Sequence, residues 1–73
     1  MNMDNTILAR FGGRLKALRE EKKISQEKFA LSIGMDRTYY ASVENGKRNI
    51  ALENISKIAN GFGLSLSDLF KDI

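Results

Sequence analysis

The chain has 73 residues with no cysteine, histidine or proline, and its 12 Lys and Arg residues outnumber nine Asp and Glu residues, giving a net charge of +3. This length predicts one small, marginally stable domain over residues 1–73, and the missing residue types exclude a disulfide framework and the commoner zinc sites. No apolar run approaches the roughly 20 residues that cross a bilayer, so we expect a cytoplasmic protein without a membrane partner. We also expect that so small a domain gains stability by pairing with a second copy of itself.

The positive charge is unevenly distributed along the chain. Ten basic and five acidic residues lie between Arg10 and Arg48, so this stretch carries +5 and the two ends together carry −2. A basic surplus confined to one part of a fold is typical of a nucleic-acid-binding surface, although a solvated helical surface can show the same surplus.

A first helix is predicted from apolar residues at helical spacing, which are Ile7, Leu8, Phe11, Leu15 and Leu18. Gly12 and Gly13 interrupt it and should each cost about 1 kcal/mol relative to alanine. One of them is a candidate for close approach of another backbone, the alternative being simple tolerance.

A second helix over 26–33 and a third helix follow, with Ser25 and Asp36 as their N-caps. Gly34 ends the second helix, and the third stops near Asn45, with Gly46 available for a left-handed residue. Within the third helix, Tyr40 and Val43 are predicted to point inward.

A fourth helix has its inner side formed by Leu52, Ile55, Ile58, Ala59 and Phe62, and a last short helix begins at Ser65. Five short helices without a strand pattern predict an all-α fold.

The second and third helices, joined by a tight turn at Gly34, predict a helix-turn-helix over about 26–45. If Tyr40 and Val43 are buried, the opposite face of the third helix presents Thr38, Ala41, Ser42 and Asn45. Small polar side chains let a helix approach base edges, and Arg37 has the reach to bind guanine O6 and N7. Tyr39 lies beside it and can reach a phosphate or a sugar; an ordinary solvated helix face is the alternative.

The residues Gln26, Ala30, Gly34 and Val43, with the run Glu44-Asn45-Gly46, resemble the lambda-repressor-like helix-turn-helix proteins. The run Asp36-Arg37-Thr38-Tyr39, followed by Glu44, Gly46, Arg48, Asn49 and Ile50, is similar to the controller proteins of restriction-modification systems. Tyr40 and Ala51 depart from the family pattern without threatening the fold, whereas Gly13 replaces a residue that is usually a better helix former, which puts stability in question more than function.

The resemblance implies a role for each matching residue. Nine residues would contact double-stranded DNA. Gln26 would bind a phosphate, and the groove would be faced by Arg37, Thr38, Tyr39 and Ser42. The DNA backbone would be followed by Asn45, Lys47, Arg48 and Asn49, and Arg48 is also a candidate base reader. Asn45 as a helix cap and Lys47 as a surface charge are the alternatives.

The resemblance also implies an ion pair between Arg19 and Glu44, although Arg19 could instead contact phosphate. It further implies a homodimer on a palindromic operator, paired through residues of a region at about 50–73, namely Ile50, Leu52, Leu66 and Phe70. Burial in the protomer's own core is the alternative for each of these four.

The same resemblance implies a transcriptional regulator that activates and represses its own gene and an endonuclease gene. Activation would require contact with RNA polymerase, through its sigma subunit, for which Glu27 and Glu44 are the acidic candidates. A solitary phage- or plasmid-type repressor and an antitoxin-like protein-interaction module are the alternatives. We expect no enzyme, because no nucleophile or phosphate-loop motif is present, and we expect no cofactor.

Overall fold

The computed structural model describes residues 5–73, so residues 1–4 of the predicted domain lie outside the described residues. Within 5–73 the chain is all-helical, as predicted. Its five helices are α1 (Asn5–Glu21), α2 (Gln26–Ser32), α3 (Arg37–Glu44), α4 (Leu52–Phe62) and α5 (Leu66–Leu69). No helix of this described part is long and apolar enough to cross a membrane.

The predicted caps define the helix ends. Ser25 Oγ accepts a hydrogen bond from Lys28 N at 3.0 Å, and Asp36 Oδ2 accepts one from Tyr39 N at 2.9 Å. These bonds satisfy backbone donors that the first turn of a helix leaves free. Gly34 (φ +68°) and Gly46 (φ +75°) adopt the left-handed conformation after α2 and α3, which glycine enters without steric cost.

The core lies where all five helices meet. Its fully buried side chains include Leu15 of α1, Phe29 of α2, Tyr40 and Val43 of α3, and Ile58 of α4. Aromatic rings dominate its centre, since the Phe29 ring stacks on Phe62 with centroids 4.2 Å apart and meets the Tyr40 ring in a tilted arrangement with centroids 5.3 Å apart.

The N-terminal part of the predicted α1 stripe is partly wrong. Phe11 and Leu15 are buried, whereas Ile7 is 53% exposed. Ile7 stands in the first turn of the helix, at the end of the stripe, and the core residues of α1 begin one turn later. The helical spacing of apolar residues therefore extends further toward the N-terminus of α1 than the part of α1 that the rest of the fold covers.

Gly12 is the point at which α1 and α3 touch. A Cβ atom built there would lie 2.2 Å from the Glu44 carbonyl oxygen, well inside any real contact, whereas one at Gly13 would meet nothing within 4 Å. The expected close approach of another backbone therefore occurs at Gly12. Gly13 is tolerated on the exposed side of α1.

Two arginines of α1 bind the main chain of the C-terminal segment. Arg14 donates from Nε to the Leu69 carbonyl at 3.1 Å and from a terminal guanidinium nitrogen to the Asp68 carbonyl at 2.7 Å. Arg10 donates to the main-chain oxygen of Ile73. These bonds hold α5 and the residues after it against α1.

Candidate nucleic-acid interface

Helix α3 has a buried side and an open side. Tyr40, Val43 and Glu44 are at most 5% exposed, while Arg37 and Thr38 are exposed and Ser42 is half-buried. The buried side follows from the spacing of three and four residues that places these side chains on one face of a helix. The protein's own interior therefore leaves the opposite side of α3 accessible to a ligand.

The residues predicted to contact DNA lie on or next to this open side. Arg37, Thr38, Asn45, Lys47, Arg48 and Asn49 are exposed, and Gln26, Tyr39 and Ser42 are half-buried. A cleft of about 610 Å³ runs between α2 and α3, lined by Arg19, Ser25, Gln26, Glu27, Arg37, Thr38 and Ala41. Gln26, Arg37 and Thr38 share this cleft, and the remaining predicted residues lie on α3 or in the segment 45–49 that follows it.

Arg19 and Glu44 join α1 to α3. Arg19 Nε lies 2.8 Å from Glu44 Oε2, and an Arg19 terminal nitrogen lies 3.0 Å from Glu44 Oε1. The other terminal nitrogen donates to the Ile24 carbonyl at 2.7 Å. Since its donors are engaged inside the protein and only 12% of its side chain is exposed, the geometry favours the ion pair over a phosphate contact.

Two further side chains bind the Glu44 carboxylate. Gln26 Nε2 donates to Oε1, and the Tyr40 hydroxyl donates to Oε2 at 3.1 Å. Burial alone would raise the pKa of Glu44, but the hydrogen bonds from Arg19, Gln26 and Tyr40 and the charge of Arg19 together lower it. Glu44 is therefore ionised and fully occupied inside the protein, and its candidacy as a polymerase contact is wrong.

Burial also affects Tyr40, whose side chain lies in the core. Burial and the neighbouring Glu44 carboxylate raise the pKa of Tyr40 well above its ordinary value, because both disfavour the phenolate. Tyr40 therefore remains a neutral hydrogen-bond donor to Glu44. Its departure from the family pattern supplies a polar contact that an aliphatic residue at this position could not make.

Gln26 has an internal partner as well as an exposed edge. Its amide nitrogen binds Glu44, while its backbone N–H is at the start of α2, where helix N–H groups are free to bind an anion. Arg37 similarly has a protein partner, because its guanidinium lies 3.2 Å from Glu27 Oε1. Both side chains of this Arg37–Glu27 pair are about two-thirds exposed, so the pair is weak and easily exchanged for another partner.

A second polar cluster lies on the outer side of α3 and is formed by Tyr39, Ser42, Arg48 and Asn54. Arg48 Nε donates to Ser42 Oγ at 3.0 Å, and its guanidinium carbon lies 5.0 Å from the centre of the Tyr39 ring. Asn54 Nδ2 donates to the Tyr39 hydroxyl at 3.1 Å. Sequence reasoning did not include Asn54, which lies 15 positions from Tyr39 and in no recognisable motif with it.

The four residues predicted to form the dimer surface differ in exposure. Leu52 is 73% exposed, Leu66 43% and Phe70 37%, and the Phe70 ring stacks on Phe11 with centroids 5.2 Å apart. Ile50 is half-buried and packs against the core. Three apolar side chains therefore remain more than one-third exposed, at the start of α4, on α5 and directly after α5.

Three comparisons with known proteins agree on the family. The helix-turn-helix family matches residues 15–69. Control protein C.MunI from a Mycoplasma species is 59% identical over 70 residues, covering 94% of this chain and 95% of that protein. Control protein C.BamHI from Bacillus amyloliquefaciens is 40% identical over 68 residues, covering 92% of this chain and 84% of that protein.

A solved structure gives the same result. The crystal structure of the restriction-modification controller protein C.AhdI from Aeromonas hydrophila superposes with a TM-score of 0.83 at 44% identity, covering 88% of this chain and 97% of that one. This is a family of transcriptional regulators and not of enzymes. The chain belongs to the helix-turn-helix family of DNA-binding transcriptional regulators, among relatives that are restriction-modification controller proteins.

Proposed function

We propose that the chain is the controller of a restriction-modification system and acts in the cytoplasm by binding a palindromic operator as a homodimer. The observation that carries this proposal is the two-sided recognition helix, which buries Tyr40, Val43 and Glu44 and leaves Arg37 and Thr38 open to a groove. The names of the most similar relatives support the controller role rather than that of a solitary repressor.

The proposed DNA contacts follow from the positions of the side chains. Arg37 and Thr38, in the first turn of α3, are the base readers, as recognition helices contact base edges through their N-terminal residues. The exposed Lys47, Arg48 and Asn49 follow α3 and bind phosphates, which sets the orientation on the duplex. Binding should therefore weaken steeply with added salt as counterions are released.

The proposed dimer pairs through Leu52, Leu66 and Phe70 of each copy. A two-fold dimer places two recognition helices about 34 Å apart, one turn of the duplex, and uses the same patch of both copies. Exposed apolar side chains on a small domain favour such self-association.

The proposal also includes a contact with RNA polymerase. Of the two acidic candidates only Glu27 is available, since its side chain is 67% exposed. A Glu27→Gln variant should bind the operator normally and fail to activate transcription from it.

The binding experiment is selection of duplexes from a randomised library by the purified chain, followed by footprinting of the enriched sequence. A symmetric footprint with two half-sites supports the proposal, and failure to enrich any sequence at low salt would overturn it. The controller role is tested by locating the enriched sequence in the genome. It should lie upstream of the chain's own gene and of an adjacent endonuclease gene, and the absence of an adjacent endonuclease gene would contradict the controller role.

The dimer is tested by sedimentation of Leu52→Ser against Leu31→Ser as a matched control. Leu31, on α2, is 77% exposed and lies outside the proposed surface. Because each change occurs twice in a symmetric dimer, Leu52→Ser should raise the dimer dissociation constant at least about ten-fold. Equal effects of the two changes would place the dimer contact elsewhere.

A further inference from the structure

The Tyr39 hydroxyl lies between the recognition helix and the start of α4. It accepts hydrogen bonds from Asn54 Nδ2 at 3.1 Å and from the Ala51 backbone N–H at 3.4 Å. A phenol oxygen has two lone pairs and one proton. Both donors of α4 use the lone pairs, so the proton is directed away from α4.

This arrangement replaces a usual feature of helix starts. Ala51, the N-cap of α4, has no side chain that could cap the helix. In a capping box the third residue of the helix bonds back to the N–H of the cap residue. Here the third residue is Asn54, and the Tyr39 hydroxyl stands between its amide and the Ala51 N–H. The start of α4 and the recognition helix therefore share one hydrogen-bonded centre.

The other side of Tyr39 supports a predicted DNA contact. The Arg48 guanidinium lies over the ring, 5.0 Å from its centre, and Arg48 Nε binds Ser42 Oγ at 3.0 Å. Arg48 is a long, exposed side chain in the irregular segment between α3 and α4. A ring fixed by its hydroxyl gives that side chain a defined position, because a guanidinium packs on the face of an aromatic ring.

We propose that Asn54 is a positioning residue for operator binding. It holds the Tyr39 hydroxyl oxygen, which turns the hydroxyl proton away from α4 and fixes the ring on which Arg48 lies. Asn54 itself makes no contact with DNA. This proposal rests on the proposed function, since it concerns the duplex that the chain selects.

The test uses Asn54→Ala, Tyr39→Phe and the double variant, with Asn60→Ala as the matched control. Asn60 is an exposed asparagine of the same helix. The probes are the duplex that the wild-type chain enriches from a randomised library and a scrambled duplex of the same base composition. Binding is measured by fluorescence anisotropy, and thermal unfolding is recorded for every variant.

We expect Asn54→Ala to weaken binding to the enriched duplex about five-fold, the factor that corresponds to one net hydrogen bond. Binding to the scrambled duplex should weaken as well, because Arg48 binds phosphates whatever the base sequence, whereas both affinities of Asn60→Ala should be unchanged. In the Tyr39→Phe background, Asn54→Ala should cause no further loss, because the hydroxyl on which Asn54 acts is already gone.

The double variant separates positioning from direct contact. An equal five-fold loss in the Tyr39→Phe background would show that Asn54 acts independently of the hydroxyl and would overturn the proposal. Unchanged binding by Asn54→Ala would also overturn it and leave the proposed function intact. If the wild-type chain enriches no duplex, the proposed function fails and takes this proposal with it.

Discussion

Replacing Arg19 by methionine should reveal how strongly the α1–α3 connection depends on charge. The change keeps an unbranched side chain and removes the cation beside the Glu44 carboxylate, whose side chain is 1% exposed. Two neutral donors remain, Gln26 Nε2 and the Tyr40 hydroxyl. Leaving a buried charge without its partner costs about 3–5 kcal/mol. A 73-residue domain has roughly 4–11 kcal/mol of total stability, so the variant should be near its unfolding transition.

The stability of the wild-type chain and that of the Arg19→Met variant should change with pH in opposite directions. In the wild-type chain the pKa of Glu44 is lowered from 4.5, so its contribution to stability is present above pH 4.5 and is lost as the pH falls through the folded-state value. Without Arg19, burial raises the pKa of Glu44 instead. Its contribution is then present below pH 4.5 and is lost as the pH rises. The stability difference between variant and wild type should therefore grow from about pH 4 to about pH 7.

The assay is urea unfolding followed by circular dichroism, at one fixed chain concentration because the proposed dimer would shift apparent stability. Arg37→Met is the control, since it breaks an exposed ion pair that is worth at most about 1 kcal/mol. Adding Glu44→Gln to Arg19→Met should restore much of the lost stability by removing the buried charge. A cost below about 1 kcal/mol for Arg19→Met, or a cost independent of pH, would refute this reasoning.

The remaining predictions concern α1, the core and base reading. Gly12→Ala should destabilise the fold by about 1–3 kcal/mol because its Cβ would overlap the Glu44 carbonyl, whereas Gly13→Ala should stabilise it by up to about 1 kcal/mol; thermal unfolding of the pair decides, and equal effects would contradict the close approach. Tyr40→Phe should cost about 1 kcal/mol in urea unfolding. It should also remove the loss of stability that begins as the pH rises above 10.0, since the raised pKa of Tyr40 leaves the folded state fully stabilised below that value and progressively less above it; an unaltered alkaline profile would count against burial of the Tyr40 hydroxyl beside Glu44. Arg37→Ala should relax base preference at one position per half-site by about 1–3 kcal/mol, measured by repeated duplex selection, and a uniform loss for all sequences would instead indicate phosphate contact.

Much of the fold was predictable because its determinants are local. Ser25, Asp36 and Ser65 cap the helices they were expected to cap, since capping depends on residues within one turn. The inward direction of Tyr40 and Val43 followed from helical periodicity. The exposed position of Ile7 did not, because periodicity identifies the apolar side of a helix and does not show where along it the neighbouring helices end.

Contacts within the site were less predictable because they join distant parts of the chain. The Tyr40–Glu44 bond had a signal, as residues four apart on a helix are neighbours, yet Tyr40 was interpreted as core alone. The Glu27–Arg37 pair and the Asn54–Tyr39 bond depend on how separate helices are placed, and no spacing in the sequence encodes that placement. Residue identity therefore predicted which side of α3 is buried and which is exposed, while the network that orders the side chains on the exposed side required coordinates.

The hydrogen bonds from Arg10 and Arg14 to the C-terminal segment affect how the sequence of this protein can diverge. Both arginines bind main-chain oxygens, which every amino acid supplies alike. Substitutions at Leu66 and Phe70 can accordingly accumulate while the path of the chain is conserved. With Leu66 and Phe70 in the proposed dimer contact, two duplicated copies of such a gene would be able to acquire different pairing preferences, and so cease to form mixed dimers, before either one changed the DNA sequence that it reads.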